Sequence, residues 1–176
     1  MPLQNQPIAI LTGGPPGSGK TTFLKKFAPW MDDSSKIVHI DADEIRAKLP
    51  EYKGWNSFNT HAETRDIVNR LLDSIGNPCE HDIIYDGTMN KADNYRPLIA
   101  KLRGMGYKIF VIYIQVPKEV SIERAMGRYV RGGATGRYVP VEVIEEVFER
   151  GLTAYEQIIK EADGYIRVDG IKQTII

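Results

Sequence analysis

The chain has 176 residues, of which 42% are hydrophobic and 26% charged, so its composition excludes a disordered or fibrous protein. Its 23 basic and 23 acidic side chains balance, which excludes an overall positive field that would gather long nucleic acids onto the surface. This length fits one domain with a full hydrophobic core and is short for two, so we expect a single domain over residues 1–176.

Cys79 is the single cysteine of the sequence, which therefore allows neither an internal disulfide nor a cysteine-based zinc site. The first residues lack a basic segment followed by an apolar one. No apolar run approaches the roughly 18 residues that a membrane-spanning helix needs. We therefore expect a cytoplasmic protein without membrane contact.

Apolar runs alternate with amphipathic segments along the chain, and this alternation is typical of βαβ units. Short runs rich in Ile, Val or Tyr predict strands at 8–12, 37–40, 83–85, 108–116 and 165–168. Amphipathic segments predict helices at 22–30, 42–49, 60–75, 94–105, 118–131 and 141–162. These elements indicate an α/β fold with a five-stranded, mostly parallel sheet and helices on both faces, in which ligands bind at the carboxyl ends of the strands.

The first predicted strand is followed by GGPPGSGKTT at residues 13–22, which fits the motif G-x-x-x-x-G-K-[ST]. A strand before the motif and a helix after it form the context of a phosphate-binding loop, so we expect the three-layer sandwich of P-loop NTPases. Backbone N–H groups would point at the phosphates, Lys20 would add positive charge, and Thr21 would offer a hydroxyl to Mg²⁺. The expected nucleotide-binding residues are Gly14, Gly17, Ser18, Gly19, Lys20, Thr21 and Thr22. A glycine-rich turn without a ligand is the alternative.

Two carboxylates follow the second predicted strand, at Asp41 and Asp43. A carboxylate near Thr21 can orient Mg²⁺, and one nearer the acceptor can take the proton of an attacking hydroxyl. We assign the first role to Asp41 and the second to Asp43. Arg46, one helical turn further on, would keep Asp43 ionised or contact a phosphate of the acceptor. The alternative is an Asp N-cap with a salt bridge in the first helical turn.

The third predicted strand ends in Asp86-Gly87-Thr88, which delivers another carboxylate to the same edge of the sheet. We assign Asp86 and Thr88 to the acceptor, and Asp86 could also help to hold magnesium. An aspartate that serves only the turn is the alternative.

Four arginines and interleaved glycines predict a lid over about residues 124–139. Arg124, Arg128 and Arg131 share one face of a helix that leads through a glycine-rich run to Arg137. Arginines that arrive by lid closure stabilise the charge of a phosphoryl group in transfer and exclude water. The alternative is a solvated basic helix followed by a loop.

With these motifs the sequence resembles the zeta-toxin family of P-loop kinases, whose best-known members phosphorylate UDP-N-acetylglucosamine and are restrained by an antitoxin. The resemblance covers most of the chain, and its phosphate loop and D-x-D-x-x-R segment are also similar to polynucleotide 5′-kinases and nucleoside kinases. It rests on residues 14–22, 40–43, 50–52, 85–88, 106–107 and 116–118, and on Arg46, Arg128, Tyr129 and Arg137.

Carried over by position, the resemblance implies that Lys20 is the phosphate-binding lysine and Asp43 the catalytic base. It implies that Arg128 and Arg137 are the two lid arginines. Asp86 matches a carboxylate of the acceptor pocket that is usually glutamate in the family. An antitoxin protein is the partner that the resemblance implies.

We therefore expect a kinase that uses ATP and Mg²⁺ to phosphorylate a hydroxyl of a small, nucleotide-like acceptor, with UDP-N-acetylglucosamine as the first candidate. A polynucleotide 5′-hydroxyl or a nucleoside is the alternative acceptor. Nucleic acid is the weaker candidate because the arginines concentrate in one lid, whereas the last helix presents several glutamates. A nucleotide-dependent switch is the alternative of another class. The choice between ATP and GTP stays open.

Overall fold

The computed structural model describes residues 6–27, 36–56, 59–75, 81–132 and 137–176. Cys79, the end of the first predicted helix and residues 133–136 of the predicted lid lie outside the described residues.

The described strands are β1 (Ile8–Gly13), β2 (Ile37–Asp41), β3 (Asp82–Asp86), β4 (Lys108–Gln115), β5 (Gly164–Asp169) and β6 (Thr174–Ile175). The described helices are α1 (Lys20–Phe27), α2 (Ala42–Ala47), α3 (His61–Ser74), α4 (Ala92–Gly104), α5 (Lys118–Gly132) and α6 (Val141–Ile158), and a 3₁₀ turn (Ile159–Glu161) follows α6. Each predicted strand and helix has a counterpart here, with ends that differ by a few residues.

Five of the strands are parallel and lie in the order β2-β3-β1-β4-β5, which confirms the mostly parallel sheet. In the part of the chain that the structure describes, the sheet has six strands rather than the predicted five. The sixth, β6, pairs antiparallel with β5 through Val168 with Ile175 and Asp169 with Thr174. It escaped prediction because two residues are too few to show an alternation of apolar and polar side chains.

Helices cover both faces of the sheet, and the alternation of side chains along β1 explains how. Ala9 and Leu11 pack in one cluster with apolar side chains of α3, α4 and α6. Ile10 points to the opposite face and packs with Leu24 of α1. β1 is thus buried on both sides, and burying a side chain such as Leu11 contributes about 2 kcal/mol. The three-layer sandwich is confirmed.

The parallel strands end at one edge of the sheet, and this edge collects the predicted site residues. β1 leads into the phosphate loop at Gly13, while Asp41 ends β2 and Asp86 ends β3. Asp41 and Asp86 are direct neighbours in the register of these two strands. Among the described residues, no helix is both long and apolar enough to cross a lipid bilayer.

Candidate active site at the carboxyl edge of the sheet

The phosphate loop connects β1 to α1 in the predicted way and fits closely against the strands beside it. Gly14 has φ +131°, and a Cβ atom there would lie 2.2 Å from the carbonyl oxygen of Ile114 on β4, so only glycine fits. The N–H of Gly14 donates to the carbonyl oxygen of Thr88 at 3.1 Å, which ties the loop to the segment after β3. Ser18 is fully buried. Thr21 and Thr22, in the first turn of α1, are exposed.

Lys20 lies inside this loop, where its Nζ atom donates to the carbonyl oxygens of Gly14 at 2.9 Å and Pro15 at 3.2 Å. Burial lowers the pKa of Lys20; Asp86 and Asp43 act against this shift, and Arg137 and Arg128 add to it. Four predicted site residues from separate parts of the chain therefore lie within electrostatic reach of one ammonium group.

Asp43 is held between two arginines. Arg46 Nη1 donates to its Oδ1 atom at 2.6 Å, and Arg137 Nη1 donates to its Oδ2 atom. Arg46 is buried, with 7% of its surface exposed, whereas the side chain of Asp43 is 38% exposed. The predicted base therefore keeps a face toward solvent while both of its oxygens have cationic partners. The structure brings Asp43, Arg46 and Arg137 together, and helical spacing had predicted Arg46 beside Asp43.

Asp41 occupies the N-cap of α2, where its Oδ1 atom accepts from the backbone N–H groups of Asp43 at 2.7 Å and Glu44 at 3.4 Å. Burial raises the pKa of Asp41, and the negative charges of Asp43 and Asp86 raise it further, against the two backbone hydrogen bonds. The N-cap and the first-turn salt bridge considered as an alternative for this segment are thus both present. They coexist with a position next to Asp86, at the sheet edge where the phosphate loop begins.

Asp86 lies next to the strand that leads into the loop. Its Oδ1 atom accepts a hydrogen bond from the hydroxyl of Thr12 at 2.6 Å, and Thr12 is fully buried near the end of β1. The contact fixes the carboxylate between β1 and β3, close to the charge of Lys20. Sequence reasoning missed Thr12, although a hydroxyl residue near the end of an apolar strand was a signal for such a partner.

Helix α5 carries three of the four predicted lid arginines, and these three lie in different surroundings. Arg124 lies behind the loop, where its Nη1 atom donates to the carbonyl oxygen of Gly17 at 3.3 Å. Arg128 is close enough to Lys20, Asp43 and Arg137 to share their electrostatic field; burial and Arg137 lower its pKa, and Asp43 raises it. Arg131 folds back over Gly127 of its own helix. Arg128 thus joins the site, whereas Arg131 does not.

Ser121 of α5 is a second residue that sequence reasoning missed. It is fully buried, and its hydroxyl donates to the carbonyl oxygen of Pro16 in the phosphate loop at 2.6 Å. Nothing in the sequence pattern singled out this serine, because its partner is far away in the chain.

The donor set at this edge fits a magnesium ion that also binds phosphates. Mg²⁺ prefers oxygen ligands and is usually held by one or two carboxylates together with substrate phosphates. The hydroxyl of Thr21 and the carboxylates of Asp86 and Asp41 are donors of this kind. Within the described ranges no three His, Cys, Asp or Glu side chains form an all-protein metal cluster, which such a shared site does not require.

The curated proteins that match this chain in sequence are bacterial toxins. Toxin PezT of Streptococcus pneumoniae serotype 4 (strain ATCC BAA-334 / TIGR4) is 27% identical over 130 residues, which covers 70% of this chain and 51% of PezT. The chain spans about half the length of the curated relatives it matches.

Solved structures share the fold. A structure of the PezAT toxin–antitoxin system of Streptococcus pneumoniae superposes with a TM-score of 0.74 at 20% identity, over 98% of this chain and 70% of that one. A structure of AvrRxo1-ORF1 with AvrRxo1-ORF2 and ATP superposes with a TM-score of 0.71 at 15% identity, over 93% of this chain and 55% of that one. The family described as Zeta toxin matches residues 1–174, so the chain belongs to the zeta toxin family.

Proposed function

We propose that the chain is a kinase that transfers the γ-phosphate of ATP to a hydroxyl of a small phosphorylated acceptor, with UDP-N-acetylglucosamine as the best candidate. The observation that carries this proposal is the position of Asp43. It lies just past the end of β2, paired with Arg46 and Arg137 and within electrostatic reach of Lys20. A carboxylate, two lid arginines and the loop lysine in one site suit phosphoryl transfer better than a slow switch.

In the proposed reaction Asp43 accepts the proton of the acceptor hydroxyl as that oxygen attacks the γ-phosphorus. The bond between the γ-phosphorus and the bridging oxygen breaks, and ADP leaves with the electron pair. Lys20 and the loop N–H groups hold the phosphates. Arg128 and Arg137 face the charge that spreads over the transferred group, so they act mainly in the transition state.

The hydroxyl of Thr21 and the carboxylate of Asp86 would hold magnesium, so Asp86 takes the role that the sequence analysis gave to Asp41, its neighbour in the strand register. Asp86 is favoured because Thr12 fixes it next to the loop strand, whereas Asp41 caps α2. When bound, the ion neutralises charge on the β- and γ-phosphates. Gly14, Gly17, Ser18, Gly19 and Thr22 stay proposed nucleotide contacts through the loop and the first turn of α1.

The acceptor is proposed from charge and from aromatic side chains near the lid. Arg46 and the lid offer the few cations that a diphosphate needs, and we assign Thr88 to the acceptor with them. The N–H of Tyr138, next to Arg137, donates to the carbonyl oxygen of Gly54 at 3.1 Å. This contact holds the segment with the exposed Trp55 beside the lid, where its ring can cover a base or a sugar.

We further propose a cytoplasmic location and an antitoxin partner. Both rest on the family and on the PezAT and AvrRxo1 neighbours, which were solved as a toxin–antitoxin system and as a two-component complex. Residues 1–176 are proposed to form one kinase domain.

The test is transfer of label from γ-labelled ATP to a panel of UDP-sugars, nucleosides and a 5′-hydroxyl oligonucleotide. We expect the highest kcat/KM for UDP-N-acetylglucosamine, with little dependence on salt. Preferential labelling of the oligonucleotide with a steep loss at moderate salt would replace this acceptor by a nucleic-acid end. Release of labelled phosphate without transfer to any acceptor would favour the switch.

A further inference from the structure

Helix α5 packs directly on Pro16 and Gly17 of the phosphate loop, and Ser121 lies in that contact. Its Oγ atom donates to the carbonyl oxygen of Pro16, 105 positions away in the sequence. A helical serine more often bonds the carbonyl four residues earlier. A Cβ atom at Gly17 would lie 2.9 Å from Cβ of Arg124 and 3.0 Å from the carbonyl oxygen of Ser121, so no side chain fits between helix and loop.

The hydrogen bonds from α5 also set the direction of the loop's peptide groups. Ser121 holds the carbonyl of Pro16, and Arg124 holds the carbonyl of Gly17. The C=O and N–H of a planar trans peptide point in opposite directions. The N–H of Gly17 must therefore point away from α5, a direction suited to the backbone N–H contacts with which such loops bind phosphate oxygens. The N–H of Ser18, on the peptide that Arg124 holds, donates to the carbonyl oxygen of Pro15 at 3.1 Å.

The same helix carries Arg128, four residues after Arg124 and seven after Ser121. These spacings correspond to about one and two helical turns, so the three residues lie along one side of α5. The rise between Ser121 and Arg128 is about 10 Å. A helix attached to the loop at Ser121 and Arg124 therefore holds Arg128 at a set distance from the phosphates.

We propose that Ser121 is a positioning residue for phosphoryl transfer, which keeps the phosphate loop and the arginine helix in one relative geometry. This inference rests on the role proposed above for Arg128. Arg124 supports the same attachment through the carbonyl oxygen of Gly17. The turn of α5 that carries Arg124 moves with the phosphate loop rather than as a free lid.

The first test compares Ser121→Ala with the matched control Thr64→Val. Thr64 on α3 is also buried, and its hydroxyl donates to the carbonyl oxygen of Thr60 at 2.7 Å. Both variants lose one buried hydroxyl–carbonyl bond, so we expect similar decreases in Tm. We expect Ser121→Ala to lower kcat ~10- to 100-fold, because a small misplacement of a group that acts on the reacting atoms is costly. The KM for ATP should rise by a smaller factor. Thr64→Val should keep kcat within about twofold.

The second test combines Ser121→Ala with Arg128→Ala. If Ser121 acts by positioning Arg128, its loss should add less than about threefold once Arg128 is absent. Equal kcat in Ser121→Ala and Thr64→Val, or fully multiplicative losses in the double variant, would overturn the positioning role and leave the kinase standing. Unchanged turnover in Arg128→Ala alone would remove the proposed role of Arg128 and this inference with it. Should Ser121→Ala not fold, Arg124→Ala enters the same cycle with the same expected coupling.

Discussion

The guanidinium group of Arg137 donates to Oδ2 of Asp43 across 94 positions of the sequence, while Arg46 donates to Oδ1 of the same carboxylate. The carboxylate is thereby fixed from two sides. Its partner Arg137 comes from the lid and Arg46 from α2, so the proposed base and the proposed transition-state arginine are in direct contact.

Replacing Arg137 or Arg128 by alanine should leave folding intact and lower turnover by about 10²- to 10³-fold, with a much smaller loss of ATP affinity. The reason is that in the proposed reaction both guanidinium groups act on charge that develops in the transition state. Steady-state kinetics and calorimetric ATP titration separate the two effects. Arg70→Ala is the control, since Arg70 is exposed on α3 and pairs with Asp66. A loss confined to ATP binding would identify a ground-state clamp instead.

Asp43→Asn should keep ATP binding and lose roughly 10² to 10⁴ in turnover, which is the usual contribution of a positioned general base. The amide keeps the shape of the side chain and cannot take the proton. Single-turnover transfer with saturating ATP measures the effect. A collapse of ATP affinity would mean that Asp43 serves the metal or the structure, and Asp41 or Asp86 would have to be considered as the base.

Asp86→Asn should raise the magnesium concentration needed for half-maximal nucleotide binding by about tenfold or more, because the variant lacks the proposed carboxylate ligand. Thr12→Val removes the hydrogen bond that fixes this carboxylate and should have a smaller effect in the same direction. Calorimetric titration of ATP at several magnesium concentrations gives the values. Asp73→Asn, an exposed aspartate paired with Lys101, is the control. Unchanged magnesium dependence in Asp86→Asn would move the ion toward Asp41.

Two aspartates should respond to pH with opposite sign. Burial raises the pKa of Asp41 above 3.8, so its contribution to stability is present below that value and is lost as pH rises through the folded pKa. Asn keeps the cap without the charge, and Asp41→Asn should therefore unfold at higher temperature than the parent at pH 7 but not at pH 3.

Asp169 is the aspartate whose pKa is shifted in the opposite direction to that of Asp41. Backbone hydrogen bonds from Lys172 and Ile171 lower its pKa below 3.8, so its stabilisation is present at pH 7 and is lost as pH falls through the folded pKa. Asp169→Asn should lower Tm at pH 7 and lose that effect as pH falls to 3 and below. The same sign for both variants at pH 7 would contradict the environments described for these carboxylates.

The sequence predicted the sandwich and the edge of the sheet where the candidate site lies, because the order of strands and helices in this fold can be inferred from short segments of the sequence. Apolar runs mark the buried strands, and the spacing around Lys20 marks the loop. The sequence missed β6, which is stabilised by pairing with β5 rather than by a pattern of its own.

The hydrogen-bond partners of the site were harder to predict than its charged residues. Thr12 donates to a carboxylate and Ser121 to a carbonyl group of a distant segment. The position of Thr12 near the end of a strand was a signal for its partner, whereas the sequence around Ser121 gives no sign of one. The division between Arg128 at the site and Arg124 behind the loop also depends on how α5 rests on Gly17, which helical periodicity alone cannot give.

The most direct test of the account is label transfer from γ-labelled ATP to UDP-N-acetylglucosamine by the parent protein and by Lys20→Ala, with nucleotide affinity measured alongside. We expect transfer by the parent and none by the folded variant. The variant should also lose more affinity for ATP than for ADP, because the proposed role of Lys20 is to reach the β- and γ-phosphates. Undiminished transfer by purified, folded Lys20→Ala would contradict it.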